Sequence, residues 1–319
     1  MISHFLSASE LSKNDIEKLL FAARAFSTFM RKGENIGLLR GKTVVNMFFE
    51  NSTRTRVSFE LATRRLGGNV INFATSTSSV QKGETLIDTA RNIEAMKPDC
   101  LVVRHSSAGS PATLARSVAV PVINAGDGFH QHPTQGLLDA FTIQEKLGQV
   151  EGKRVVILGD IAHSRVARSD IAILRKLGAS VAVCGPPTLL PPSPEALGVE
   201  HSYRMEELLP SADVVIALRI QTERQNRMQI PSVQEYSKIW GLNQQRSNLL
   251  KPQAIILHPG PVNRGVELDP EVADGPRSVI LDQVSNGILV RMAVLASVCS
   301  REELGQWLVE QNNFGGENA

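Results

Sequence analysis

Short apolar runs rich in Val and Ile recur along this 319-residue chain, each followed by a stretch with helical spacing. The first half holds KTVVNMFF (42–49), NVINFAT (69–75), DCLVVRH (99–105) and VPVINAG (120–126). The second half holds KRVVILGD (153–160), SVAVCGP (180–186), DVVIALRI (213–220) and QAIILHPG (253–260). Runs this continuously apolar have no polar face to offer water, so they belong in parallel sheets covered on both sides. The pattern predicts an α/β protein of two similar domains, each a parallel β-sheet flanked by helices, linked by long interdomain helices. HPTQGLLDAFTIQEKLGQVEGK is apolar at Leu137, Leu138, Phe141, Ile143 and Leu147, the spacing of a helix that ends at Gly148. It is expected to bridge a first domain over 1–133 and a second over 150–285, itself spanning 134–149. Residues 286–319 read as one long C-terminal helix that returns to the first domain.

Bulk charge excludes some partners. Lys and Arg number 34 against 32 Asp and Glu, a net charge of +2, and no like-charged run stands out. Neither nucleic acid nor an anionic membrane is called for. No segment reaches the ~18 uninterrupted apolar residues of a membrane span, and the amino terminus has no basic region ahead of an apolar one. Cys100, Cys184 and Cys299 lie far apart in sequence with no C-x-x-C spacing, as reduced apolar residues of a cytoplasmic protein would.

Several stretches carry chemistry. FFENSTRTRVSFE (48–60) sets Ser52, Thr53, Arg54 and Thr55 between a strand-like and a helix-like segment, beyond the carboxyl end of a strand. Hydroxyls, a guanidinium and free backbone N–H groups at a helix start suit an oxyanion such as phosphate; an ordinary N-cap with surface charge is the plain alternative. GxxxxGK[ST] is absent, so this is no nucleotide P-loop. His132 and Gln135 precede or open the HPTQ helix, where a neutral His can polarise a carbonyl. His130 reads as a decoy, and zinc would want ligands at fixed short spacing, whereas His130, His132 and Asp139 offer no third partner on one face. VILGDIAHSRVARS carries one glycine where GxGxxG needs three, so NAD is not expected; Arg165 and Arg168 stand there instead and suit a carboxylate, or are solvated helix-start arginines. ALRIQTER adds Arg219, Gln221 and Arg224 at the end of another strand. Lys82 in STSSVQKGETL and the turn of LHPGPVNRGVE are each weak alone.

In this order the segments closely resemble the aspartate carbamoyltransferase family, over about residues 5 to 305. FxExSTRT, here Phe48 to Thr55, is the carbamoyltransferase signature, and HPTQ at 132–135 belongs to the same superfamily. The ornithine enzymes carry Cys in an HCLP turn, where this chain has His258-Pro259-Gly260-Pro261, and KGET at 82–85 is the loop expected for aspartate. Gly260 departs from the Leu of many relatives. The resemblance implies carbamoyl phosphate and L-aspartate as substrates and no cofactor or metal. It implies that Ser52, Thr53, Arg54 and Thr55 hold the phosphate, with Arg104 reaching phosphate and carbonyl. Thr55, Arg104 and His132 would polarise the carbonyl, while Gln135 and the carbonyls of Gly260 and Pro261 would hold the carbamoyl NH2. Arg165 would take the aspartate α-carboxylate, and Arg219 and Gln221 the β-carboxylate. Ser78 and Lys82 would enter from a neighbouring subunit of a homotrimer with shared active sites, and Lys82 would join the catalytic set. Glu50 would bridge to Arg165 and Arg224 on domain closure. The resemblance leaves open whether a regulatory chain or a dihydroorotase-like partner joins the trimer.

The residue types suit that reaction. An amine attacking a carbonyl builds negative charge on oxygen, which placed donors stabilise. Departing phosphate can take the amine proton, so no carboxylate dyad or nucleophilic triad is needed. Rival readings are an ornithine or acetylated-amino-acid carbamoyltransferase, a non-catalytic regulatory relative, and a nucleotide-dependent oxidoreductase; the filled donor positions and the missing glycines count against the last two.

Overall fold

A computed structural model describes residues 3–31, 36–73, 83–220 and 232–315. Among these described residues the strands are β1 Thr43–Phe48, β2 Asn69–Phe73, β3 Cys100–His105, β4 Val122–Asp127, β5 Arg154–Leu158, β6 Ser180–Cys184, β7 Glu200–Ser202, β8 Val214–Ala217 and β9 Ile255–Leu257. The α-helices are α1 Lys13–Arg31, α2 Thr53–Arg65, α3 Leu86–Glu94, α4 Ser110–Ala115, α5 Pro133–Leu147 and α6 Arg165–Lys176, then α7 Val233–Trp240, α8 Gln244–Ser247, α9 Pro270–Ala273, α10 Ile280–Cys299 and α11 Arg301–Gly315. The chain forms two compact units, Met1–Leu137 with Asn286–Ala319, and Leu138–Ser285. It leaves the first unit within α5 and re-enters it within α10.

The first unit holds a parallel sheet of order β2-β1-β3-β4. Its central strands are buried on both faces, as their nearly continuous apolar runs require. Val45, Met47, Leu101, Val103 and Val122 face one way and pack on Ala90, Ile93 and Leu114 of α3 and α4. Arg291 of α10 donates to Ser58 Oγ at 2.8 Å and lies over the Phe59 ring, tying α2 to the returning helix. Ser12 and Asp15 open α1 with a reciprocal pair, Asp15 N–H to Ser12 Oγ at 3.1 Å and Ser12 N–H to Asp15 Oδ2 at 3.1 Å, the capping-box arrangement.

The second unit repeats the plan with parallel order β7-β6-β5-β8-β9. Val156, Leu158, Ala182, Cys184, Val215, Ala217 and Ile256 form one buried face against Met205, Leu208 and Leu209. The edge strand β7 has the sequence Glu-His-Ser, with no apolar alternation to announce it, and only its pairing with β6 makes it a strand.

One expectation is corrected. The C-terminal segment is two helices, α10 and α11, not one. Lys42 Nζ takes the Cys299 carbonyl and the Ser300 hydroxyl, and Ser300 Oγ donates to the Leu38 carbonyl, so the chain is pinned at Ser300 and restarts as α11 with Glu302 and Glu303 in its first turn. Cys100 and Cys299, distant in sequence, are in side-chain contact, and burial together with that contact pushes the Cys100 thiol well above its usual range. Among the described residues no helix is long and apolar enough to cross a membrane.

Candidate active site

A doubly wound parallel sheet opens a crevice where chain order reverses, and ligands bind beyond the carboxyl ends of the strands there. In the first unit that point lies between β1 and β3. Phe48 and Arg104 are register partners at those ends, and Phe49 N–H donates to the Arg104 carbonyl at 2.9 Å. The turn after β1 delivers Ser52 as the residue ahead of α2. Its backbone is extended, φ −159° and ψ 104°, as an N-cap requires, yet its side chain makes no capping bond. Thr85 and Ser164 in the same position on α3 and α6 do cap, accepting from the N–H of Asp88 and Ala167. The plain capping reading therefore fails for Ser52. No acidic residue enters the first turn of α2, which keeps its N-terminal field positive.

Around this helix start Thr53 and Arg54 are exposed and Thr55 is buried. Arg104 is buried beside Thr55, its Nη1 3.5 Å from Thr55 Oγ1 and 3.4 Å from the Ala125 carbonyl, and its Nη2 3.5 Å from Glu50 Oε1. The structure thus gathers Glu50, Thr55 and Arg104 at one strand end. His132 and Gln135 follow β4 and are both buried. The loop that carries them is shaped by Asp127, which accepts from the N–H groups of Gly109 and Gln131 and from the Asn124 amide. His130 Nδ1 pairs with Asp127 Oδ2 at 3.0 Å. Gly128, at φ 48°, passes so close to Ala108 N and Ser106 O that a Cβ would lie within 2.8 and 2.9 Å of them.

The second unit has its reversal between β5 and β8. Arg165, the first residue of α6, is buried there, whereas Arg168 is exposed and donates to the Ala162 carbonyl at 3.4 Å. Of the two arginines weighed from sequence, only Arg165 is held in the interior. Arg219 follows β8 and is half-buried. Gly159, at φ 120°, lets β5 end against Leu218, whose Cβ and carbonyl would lie 3.2 Å from any added Cβ.

The turn after β9 is braced from below. Gly260 N–H donates to His258 Nδ1 at 2.8 Å, so the ring proton sits on Nε2 and is donated to Glu267 Oε1 at 3.0 Å. The same oxygen accepts from Asn263 N–H at 2.6 Å, and Asn263 Nδ2 donates to the Ile220 carbonyl at 3.0 Å, which ties the turn to the end of β8. Gln283 Oε1 accepts from the His258 N–H at 3.0 Å. Glu267 and Gln283 were not singled out from sequence. Nothing local marks them, because both act on a turn reached only through the fold. Gly260, at φ 66°, is half-buried and Pro261 is exposed.

Ser78, Lys82, Gln221 and Arg224 lie outside the described residues. Among the described residues no group of three His, Cys, Asp or Glu could hold a metal ion.

Comparison with known proteins gives consistent matches. The model for the carbamoyl-phosphate-binding domain of aspartate/ornithine carbamoyltransferases matches residues 3–145, and that for their Asp/Orn-binding domain matches 151–298. The chain is 54% identical over 294 residues to an aspartate carbamoyltransferase catalytic subunit from Anaeromyxobacter, covering 92% of this chain and 93% of that one. It is 53% identical to the same subunit from Syntrophotalea carbinolica, covering 94% and 96%. Crystal structures of Trypanosoma cruzi aspartate transcarbamoylase, one with carbamoyl phosphate and aspartate and one with carbamoyl aspartate and phosphate, superpose with a TM-score of 0.85 at 33% identity, covering 93% of this chain and 96% of theirs.

Proposed function

This chain belongs to the aspartate/ornithine carbamoyltransferase family, and from that premise we propose that it transfers the carbamoyl group of carbamoyl phosphate to the amine of L-aspartate. The products are N-carbamoyl-L-aspartate and phosphate, a step of pyrimidine synthesis. The observation that carries the reading is the convergence of Arg104, Thr55 and the uncapped start of α2 at one reversal point, in a chain 54% identical to a catalytic subunit of that name.

In the first unit, Ser52, Thr53, Arg54 and Thr55 bind the phosphate of carbamoyl phosphate through hydroxyls, the Arg54 guanidinium and the α2 N–H groups. Arg104, Thr55 and His132 donate to the carbamoyl oxygen, whose charge grows as the amine attacks. Gln135 accepts from the carbamoyl NH2. In the second unit, Arg165 takes the α-carboxylate of aspartate, Arg219 and Gln221 take the β-carboxylate, and the carbonyls of Gly260 and Pro261 accept N–H donors. The leaving phosphate receives the amine proton, so the chemistry asks for donors and positioning more than for a protein base. Ser78 and Lys82 serve a neighbouring subunit of a homotrimer in the cytoplasm.

Turnover of carbamoyl phosphate with aspartate beside ornithine tests this. A cationic ornithine side chain meets Arg219 as a like charge, so kcat/KM for aspartate is expected to exceed that for ornithine by several orders of magnitude. Comparable values would overturn the assignment.

A further inference from the structure

Asp139 and Asp170 are fully buried in the second unit and take no part in the reaction above. Asp139 lies on α5 and Asp170 on α6. Among the described residues no N–H or O–H donor reaches either oxygen of Asp170. The carboxyl of Asp139 lies within hydrogen-bonding reach of it. Two carboxylates cannot both stay ionised in contact and out of water, so one proton must lie between them.

The polarity of the neighbouring bonds says where that proton can sit. The His258 backbone N–H can only donate, so Gln283 meets it with Oε1 and turns its Nε2 to Asp139 Oδ1. That oxygen must accept and carries no proton. The Gln283 N–H stabilises a negative charge on Asp139, and no donor does so for Asp170, so Asp139 is the better-held anion and meets the Asp170 proton with its other oxygen. Asp170 holds the proton and donates it. The links then converge on Asp139: Gly260 N–H to His258 Nδ1, His258 N–H to Gln283 and Gln283 N–H to Asp139 from one side, and Asp170 O–H to Asp139 from the other.

We propose that the shared proton of Asp139 and Asp170 holds Asp139 in place as the acceptor for the Gln283 amide and thereby positions the His258–Pro261 turn for substrate. Asp139, Asp170 and Gln283 are thus positioning residues, and the role of the turn rests on the reading given under Proposed function. The titratable groups facing this network are Asp139 on α5, Asp170 on α6, and His258 with Glu267 at the β9 turn. Asp282, beside Gln283 on α10, pairs instead with Lys146 at 2.9 Å, where both are substantially exposed. On Asp170 itself, burial acts first and the charge of Asp139 second, and both favour the protonated form.

Loss of the proton at high pH leaves two buried like charges, which separate and release the amide. The KM for carbamoyl phosphate is then expected to rise on the alkaline side. Asp170→Asn supplies a permanent N–H donor to Asp139 and is expected to move that alkaline limb to higher pH or abolish it. Asp139→Leu removes the acceptor for Gln283 and is expected to raise KM about tenfold or more at every pH, with a smaller change in kcat. Difference infrared spectra give a readout without turnover: a protonated carboxylic acid at neutral pH that vanishes in Asp170→Asn. Superimposable pH profiles for wild type and Asp170→Asn, or no acid band that this substitution removes, would overturn the proposal. The infrared arm decides the proton even if carbamoyl transfer to aspartate were not found, so the two readings can fail separately.

Discussion

Arg104 and Glu50 face each other across the carboxyl ends of two adjacent strands, Nη2 to Oε1 at 3.5 Å, with side chains 10% and 14% exposed. The same guanidinium reaches Thr55 with its other terminal nitrogen. A planar fork can satisfy both at once, whereas an ammonium is a single point charge. Glu50 therefore holds the fork in one orientation, which leaves its remaining N–H groups aimed.

Arg104→Ala is expected to lower kcat by about 10²-fold or more, the usual cost of losing a donor to a developing oxyanion. Arg104→Lys restores charge but not the fork, so it is expected to recover only a small part. Steady-state kinetics with both substrates varied checks this; a lysine variant near wild-type activity would show that charge alone suffices.

Substitutions in the two units should separate kinetically. Arg54→Ala is expected to depress kcat strongly, with a lesser effect on carbamoyl phosphate affinity, because the phosphate gains charge as it leaves. Arg219→Ala is expected to raise the KM for aspartate at least tenfold and to leave carbamoyl phosphate binding to the free enzyme nearly unchanged. Direct binding measurements on both variants test the division.

Stability should respond to pH through Asp170. Its carboxyl is raised well above the ordinary value of 3.8 in the folded chain, by burial first and by Asp139 second. Its contribution to stability is therefore fully present below the unfolded value and is lost as pH rises toward and through the folded one. Asp170→Asn lacks this loss, so it is expected to be more stable than wild type at neutral pH, by a margin that shrinks as pH falls toward 3.8. Denaturant midpoints across that window measure it.

Shared sites can be tested by subunit mixing. If Lys82 serves a neighbour while Arg54 serves its own chain, Lys82→Ala and Arg54→Ala are each nearly inactive alone. Dissociated, mixed equally and reassembled into a closed trimer, they should leave both residues intact at about one site in four. Proven exchange without recovered activity would put Lys82 in its own chain's site or outside the chemistry.

Both sheets were legible because a strand buried on two faces is written as a nearly continuous apolar run, and β1, β3, β5 and β8 are. The Ser52–Thr55 turn was legible for a related reason: local order alone sets a strand end against a helix start. Gln283 and Asp170 were not, since their meaning comes from Asp139, 144 positions from Gln283. The contact of Cys100 with Cys299 was hidden in the same way. The break at Ser300 could have been read. Ser300-Arg-Glu-Glu303 has the spacing of a helix start, and the surrounding apolar run concealed it.

The first unit is built from two ends of the chain, and the second from one continuous stretch. Phe26 near the beginning packs on Trp307 near the end, with ring centroids 4.9 Å apart, and Lys42 grips the junction at Ser300. During synthesis the amino-terminal half must therefore wait, its α1 face unfinished, until α10 and α11 have left the ribosome. The later-made second unit can close before it. Order of birth and order of completion are reversed, and a ribosome stalled short of α10 would leave the earliest-made part of the protein exposed to chaperones and proteases.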